Sequence, residues 1–138
     1  MVVEPTRPMA KAIASVLERH GCRVTLAESA SDACRHPHAF DCGVFSDRLA
    51  DESGIELAGW LMAEDRVRVA VFFAHEDDGS VQLRASNLGT WVHRCLGLNA
   101  LRVAVLDAIM DTELARAVGA EDSSYRMEIK TGPRRRRL

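Results

Sequence analysis

The run Val67–Phe73 (VRVAVFF) is apolar at successive positions through its second half, where a strand with one wet face would alternate. A strand of that kind is buried on both faces. It lies between two segments of helical period, and the same succession of strand and helix recurs along the chain. Met1–Glu4, Arg23–Ala27, Phe40–Phe45, Val67–Phe73 and Trp91–Arg94 read as strands. Met9–His20 reads as a helix stopped by Gly21, with Pro5 and Pro8 punctuating the loop before it. Ser29–Arg35 is a short helix begun by a serine cap and ended before Pro37. Ser53 caps a helix over Ile55–Ala63, Gly89 ends one over Asp77–Leu88, and Asn99 caps the last, through Met110. The prediction is an α/β fold, (βα)5, with a doubly wound five-stranded parallel sheet and helices on both faces. In such sheets functional groups collect at the C-terminal strand ends. Those ends carry Glu4 with Pro5, Ser46 with Asp47, Ala74 with His75, and Arg94 with Cys95.

A chain of 138 residues with 47% apolar content fits one domain, predicted over residues 1–110, followed by a C-terminal extension over 111–138. The extension is expected to continue the last helix as far as Gly119. Tyr125–Lys130 then alternates weakly, as an edge strand or docking segment, and the basic end is expected to be disordered. A net charge of −2 gives no general attraction to nucleic acid or an anionic membrane. Nucleic acid contact is expected only through Arg134–Arg137, if anywhere, because no reading helix or interleaved aromatics accompany that block. No apolar run has the length of a membrane span and no signal-peptide pattern opens the chain, so a cytoplasmic protein is expected. Four scattered cysteines without a CxxC read as reduced, mostly buried thiols.

Three stretches carry a resemblance: MAKAIASVLERHGCRVTLAESASDA, FDCGVFSDRLADESGIELAGWL and LGTWVHRCLGLNALRVAVLDAI. Over residues 1 to about 110 the chain resembles the receiver domain of two-component response regulators, the CheY-like (flavodoxin-like) fold. The resemblance implies a set of chemical positions. Two acidic groups after the first strand hold Mg²⁺, and an aspartate ending the third strand accepts the phosphoryl group. A hydroxyl after the fourth strand bonds the phosphoryl oxygen, and a lysine after the fifth, followed by proline, pairs with the anion. Carried over, the acidic pair falls on Glu4 and Pro5, the acceptor on Ser46 with Asp47 next, the hydroxyl position on Ala74, the lysine on Arg94 and the proline on Cys95. Most of these lack the atom the chemistry needs. The resemblance therefore implies a degenerate pseudo-receiver: not an enzyme, without metal or cofactor, binding a protein partner in bacterial signalling independently of phosphorylation. The alternative is a phosphoacceptor response regulator using Asp47 with Mg²⁺ at Glu4. It requires a shifted register that turns the carboxylate across the sheet.

Glu4, Asp47 and Arg94 are expected to meet at the strand ends, as a structural ion pair or as a residual anion pocket. The partner face implied by the resemblance is the fourth helix, fifth strand and fifth helix, roughly Asp78–Met110, for another protein or for a homodimer. Its candidate residues are Trp91, Leu96, Leu98, Leu101 and Val105, which serve equally as core. Trp60 reads as helix-to-sheet packing or a surface-edge residue. CRHPHAFDC brings metal-capable Cys34, His36, His38 and Cys42 close in sequence, but a helix and a buried strand are expected to send the two thiols to different places. Ser46 with His75 suggests an activated nucleophile, without a third orienting residue.

Overall fold

The structure, a computed structural model, describes residues 1–75 and 79–125, with side chains as far as Val118. The elements are β1 (Val2–Val3), α1 (Arg7–Glu18), β2 (Leu26–Ala27), α2 (Ala30–Cys34), β3 (Phe40–Ser46), α3 (Gly54–Ala63), β4 (Val67–Ala74), α4 (Gly79–Ser86), β5 (Gly89–His93), a 3₁₀ turn (Arg94–Leu96) and α5 (Gly97–Tyr125). The sheet has the order β2-β1-β3-β4-β5 and every pairing is parallel. This is the five-stranded doubly wound fold expected from the alternation of elements.

The strand order dictates the layers. The step from β1 to β2 runs one way across the sheet and the step from β2 to β3 runs back. With right-handed crossovers the connecting helices must then lie on opposite faces. One core accordingly joins α2, α3 and α4 to the sheet through Ala30, Ala33, Ile55, Leu57, Leu61 and Ala85, packed around Val3, Phe45 and Phe72. The other joins α1 and α5 through Ile13, Leu17, Leu101 and Val105, packed around Val2, Val44, Val71 and Phe73. Successive strand residues alternate between the two cores, which is why β4 is apolar at successive positions. Phe45, Phe72 and Trp91 stand side by side on β3, β4 and β5, with ring centroids 5.9 and 6.4 Å apart.

Several element ends differ from expectation. β2 is only two residues long, because at the sheet edge only Leu26 and Ala27 find partners, on β1. Pro8 lies inside the first turn of α1, where its missing N–H costs nothing. Gly89 opens β5 rather than only closing the helix before it. A Cβ there would stand 2.0 Å from the carbonyl oxygen of Ala70 on β4, so only glycine permits that pairing. Ser29 and Ser53 cap α2 and α3 as expected, accepting from the backbone N–H of Asp32 and Ile55. α5 passes through Gly119 to Tyr125, so the domain boundary expected at residue 110 falls inside one helix. Asp77 and Asp78 of the predicted α4, residues 126–130 of the weakly alternating stretch, and Arg134–Arg137 lie outside the described residues. Among those described, no helix is long and apolar enough to cross a membrane.

Candidate site at the carboxyl edge of the sheet

Glu4 follows β1 and is 3% exposed. Both of its oxygens are engaged: Arg94 Nη2 donates to Oε1 at 2.5 Å, and the Thr6 N–H donates to Oε2 at 3.1 Å. Arg94 follows β5 and is fixed on two further sides. Its Nε donates to the Phe73 carbonyl at 3.1 Å, and its guanidinium carbon lies 4.8 Å from the Phe73 ring centroid. A carboxylate this deep needs a compensating charge, and the guanidinium supplies it together with hydrogen bonds. The expected ion pair between Glu4 and Arg94 is therefore present.

Asp47 does not join it. It accepts from His75 twice, from Nδ1–H at 2.8 Å and from the backbone N–H at 3.2 Å, and Arg48 Nε lies 3.8 Å from its other oxygen. Strand alternation accounts for the separation. Val2 pairs with Val44 and Phe73 with Val92 in the α1/α5 core, which sets Glu4, Ser46 and Arg94 on that side and turns Asp47 to the other. Sequence reading placed Asp47 with the wrong cation for this reason.

Ser46, at the aligned acceptor position, is 2% exposed. Its hydroxyl donates to the Arg48 carbonyl at 3.2 Å and accepts from the Arg48 N–H at 3.4 Å, closing the first turn of the loop. It does not bond His75, so the suggested nucleophile pair does not form. The Ser46 carbonyl meets Gly54 at the start of α3, where a Cβ would stand 1.8 Å from it. The Ser-Gly pair in the loop thus caps α3 and lets its first residue rest on the end of β3. Ala74 is fully buried, offers no hydroxyl, and is followed by His75, whose ring is 44% exposed. Pro5 is exposed and contributes no ligand atom, and Cys95 is exposed in the 3₁₀ turn.

Asp51, in the loop after β3, was not singled out from the sequence. Its carboxylate accepts from the N–H groups of Ala30 and Ser31 at 3.0 and 3.1 Å and from the Ser31 hydroxyl at 3.0 Å. The backbone N–H bonds, that of Ala30 first, hold it below the usual carboxylate range. No local pattern announces a contact across twenty residues.

The predicted partner-face residues divide. Leu101 and Val105 are 1% and 2% exposed and belong to the chain's own core, which removes them as interface candidates. Their spacing of four points both toward the sheet. Leu98 is partly buried against the same core, and Trp91 packs between Phe72 and His93 on the other. Among the described residues the buried Trp91 Nε1 finds no acceptor. Leu96 is exposed, as is Leu83 on α4. Trp60 is a surface-edge residue, with the Arg66 guanidinium 5.6 Å from its ring. Cys34 and Cys42 pack into opposite cores, and burial pushes the Cys42 thiol up to about 12. Among the described residues no three His, Cys, Asp or Glu side chains form a group able to hold a metal ion.

No family model matches the sequence, and no curated relative matches it either. Solved structures do match the fold. The receiver domain of the Francisella response regulator 1452 is 16% identical, with a TM-score of 0.71 over 80% of this chain and 95% of that one. A signal receiver domain from Vibrio parahaemolyticus is 15% identical, with a TM-score of 0.73 over 85% and 93%. A CheY-like response regulator receiver domain from Methanospirillum hungatei is 16% identical, with a TM-score of 0.72 over 83% and 94%. With the strand order 2-1-3-4-5 and the helices placed as above, the chain has the CheY-like fold of response regulator receiver domains.

Proposed function

We propose that this chain works in a two-component type of signalling pathway as a pseudo-receiver, binding a protein partner without accepting a phosphoryl group. The observation that carries the reading is the closed ion pair of Glu4 and Arg94. The only carboxylate left at the first metal position already spends one oxygen on a guanidinium and the other on a backbone N–H. Phosphoryl transfer depends on positioned charge, above all on a divalent ion. Here a fixed cation takes the place next to the carboxylate, Ala74 supplies no hydroxyl, and Ser46 is buried in its own turn. The pocket is held in one state without a phosphoryl group to hold it. On the partner side, α4 buries only Ala85, Leu83 on that helix is 66% exposed, and Leu96 in the 3₁₀ turn after β5 is 62% exposed. Exposed apolar residues of this kind suit contact with another protein.

The test is titration with beryllofluoride, with and without Mg²⁺, followed by Trp91 fluorescence and by the amide resonances of Glu4, Ser46 and Asp47. The expected result is no saturable Mg²⁺-dependent change. A saturable response lost on Asp47→Asn would establish the phosphoacceptor alternative instead.

A further inference from the structure

β2 is the outer strand of the sheet beyond β1, and its far edge is uncovered among the described residues. β1 uses the carbonyls of Thr25 and Ala27, which accept from the N–H groups of Val2 and Glu4 at 2.8 and 3.0 Å. In a parallel ladder alternate residues bond to a given neighbour, so the N–H and C=O groups of Val24 and Leu26 point away from the sheet. Beside this edge a groove of about 520 Å³ runs between β2 and α1. Leu26, 38% exposed, and the half-buried Val24 line it from the strand, and Lys11, Ala14 and Glu18 line it from the helix. At about 100° per residue Arg7, Lys11, Ala14 and Glu18 fall within an arc of about 60°, so one stripe of α1 faces the edge. Arg7 is matched by Glu28 at 2.8 Å. Lys11 and Glu18 are exposed, and among the described residues neither has an ion-pair partner. Arg19 lies further round the helix and turns back to donate to the Ser15 carbonyl at 3.3 Å.

We infer that this edge pairs with the same edge of a second copy, β2 against β2 and antiparallel, with the two α1 helices flanking the joined grooves. The charge pattern selects the occupant. Lys11 and Glu18 are equally spaced about the midpoint between Ala14 and Ser15. A two-fold axis at that level sets Lys11 of each copy opposite Glu18 of the other, so the contact is made twice. The chain's own basic block, Arg134–Arg137, would instead bring like charge to Lys11. The strand independently places the axis at the same level. With the axis through Thr25, Val24 of each copy pairs with Leu26 of the other, and the outward groups of those two residues are the ones that bond. The Arg7–Glu28 pair fixes the start of α1 beside the end of β2. From Arg7, the Ala14–Ser15 midpoint lies about 11 Å along α1 at 1.5 Å per residue. From Glu28, Thr25 lies about 10 Å back along the strand at 3.3 Å per residue. On the α1 side of the sheet Leu26 then covers Val24 of the second copy, and on the other side the two Thr25 side chains form a cross-strand pair. This edge is the one farthest from β5, so the contact goes beyond the proposed function and does not rest on it.

The test is sedimentation equilibrium of the full chain with charge reversals. The wild-type mass is expected to approach twice 15.2 kDa by about 100 µM. Lys11→Glu and Glu18→Lys change exposed side chains only. Each alone is expected to raise the dissociation constant about tenfold or more, with an unchanged circular dichroism spectrum. Mixed together, the two variants are expected to regain the wild-type affinity, because each carries the charges that the other lacks. The double variant Lys11→Glu with Glu18→Lys is expected to regain it alone. Hydrogen exchange gives a second readout: protection of the Val24 and Leu26 amides should rise with protein concentration. A wild type of single mass at about 100 µM overturns the inference. So does a dimer indifferent to either reversal, and so do two single variants that stay apart when mixed. Leu26 protection that is independent of concentration would give the edge to another segment of the same chain and overturns it too. The beryllofluoride titration is unaffected by any of these outcomes.

Discussion

Arg94 and Glu4 lie ninety residues apart in sequence and share a site only because β1 and β5 both end at the same edge of the sheet. Removing the cation alone leaves a carboxylate that is 3% exposed without its charge partner. Arg94→Ala is expected to cost about 3–5 kcal/mol in urea unfolding. Glu4→Leu combined with Arg94→Leu is expected to cost less than the single change, because no charge is left stranded. A loss below about 1 kcal/mol for Arg94→Ala would mean the pair behaves as a surface contact. Asp51 offers a second measurement among single residues. Its folded pKa is depressed, so its contribution is fully present above its unfolded value, about 3.9, and is lost as pH falls through the lower folded value. The Ala30 and Ser31 amides should lose hydrogen-exchange protection over that acid range, and Asp51→Asn should lower the same protection at neutral pH. Residue-level expectations from the sequence stayed open for Leu101 and Val105, offered equally as core and as interface, and the structure buries both. They failed for Asp47, whose partner depended on where β3 ends.

Among the elements, α3 contains two glycines with opposite demands. Gly54 is pressed against the Ser46 carbonyl, a backbone atom that cannot swing away. Gly59, inside the same helix, has only Leu88 near: a Cβ added there would lie 3.6 Å from Leu88 Cδ1, an ordinary contact distance. Gly54→Ala is therefore expected to destabilise by about 1–3 kcal/mol or more. Gly59→Ala should stabilise by about 0.5–1 kcal/mol through helix propensity. Thermal unfolding of the two variants checks the pair, and equal shifts would contradict the packing at the end of β3. The number, type and order of elements were legible because each carries its own period and punctuation. Their ends were less so. β2 shrank to the residues with a partner, and α5 ran on through Gly119, since one glycine costs a helix only about 1 kcal/mol.

Across the molecule, stability should be uneven. β3 and β4 pair centrally over six registered positions and are covered on both faces, whereas α4 buries one residue and α2 spans five. Native-state hydrogen exchange is expected to show the slowest amides in β3 and β4 and the fastest helical amides in α2, α4 and the end of α5. Protection of α4 equal to that of β4 would contradict the packing of the two cores.

The fold class was legible in the chain alone, because periodicity and apolar runs are properties of neighbouring residues and survive without knowledge of what they pack against. So were the chemical groups standing at the strand ends, since those are read directly. Which of these groups touch was settled in three dimensions. The pairing of Glu4 with Arg94, of Asp47 with His75 and of Asp51 with α2 depends on strand register and loop path to within an ångström or two. Hydrogen bonds and ion pairs fall off over just that distance, and no local pattern in the chain encodes it.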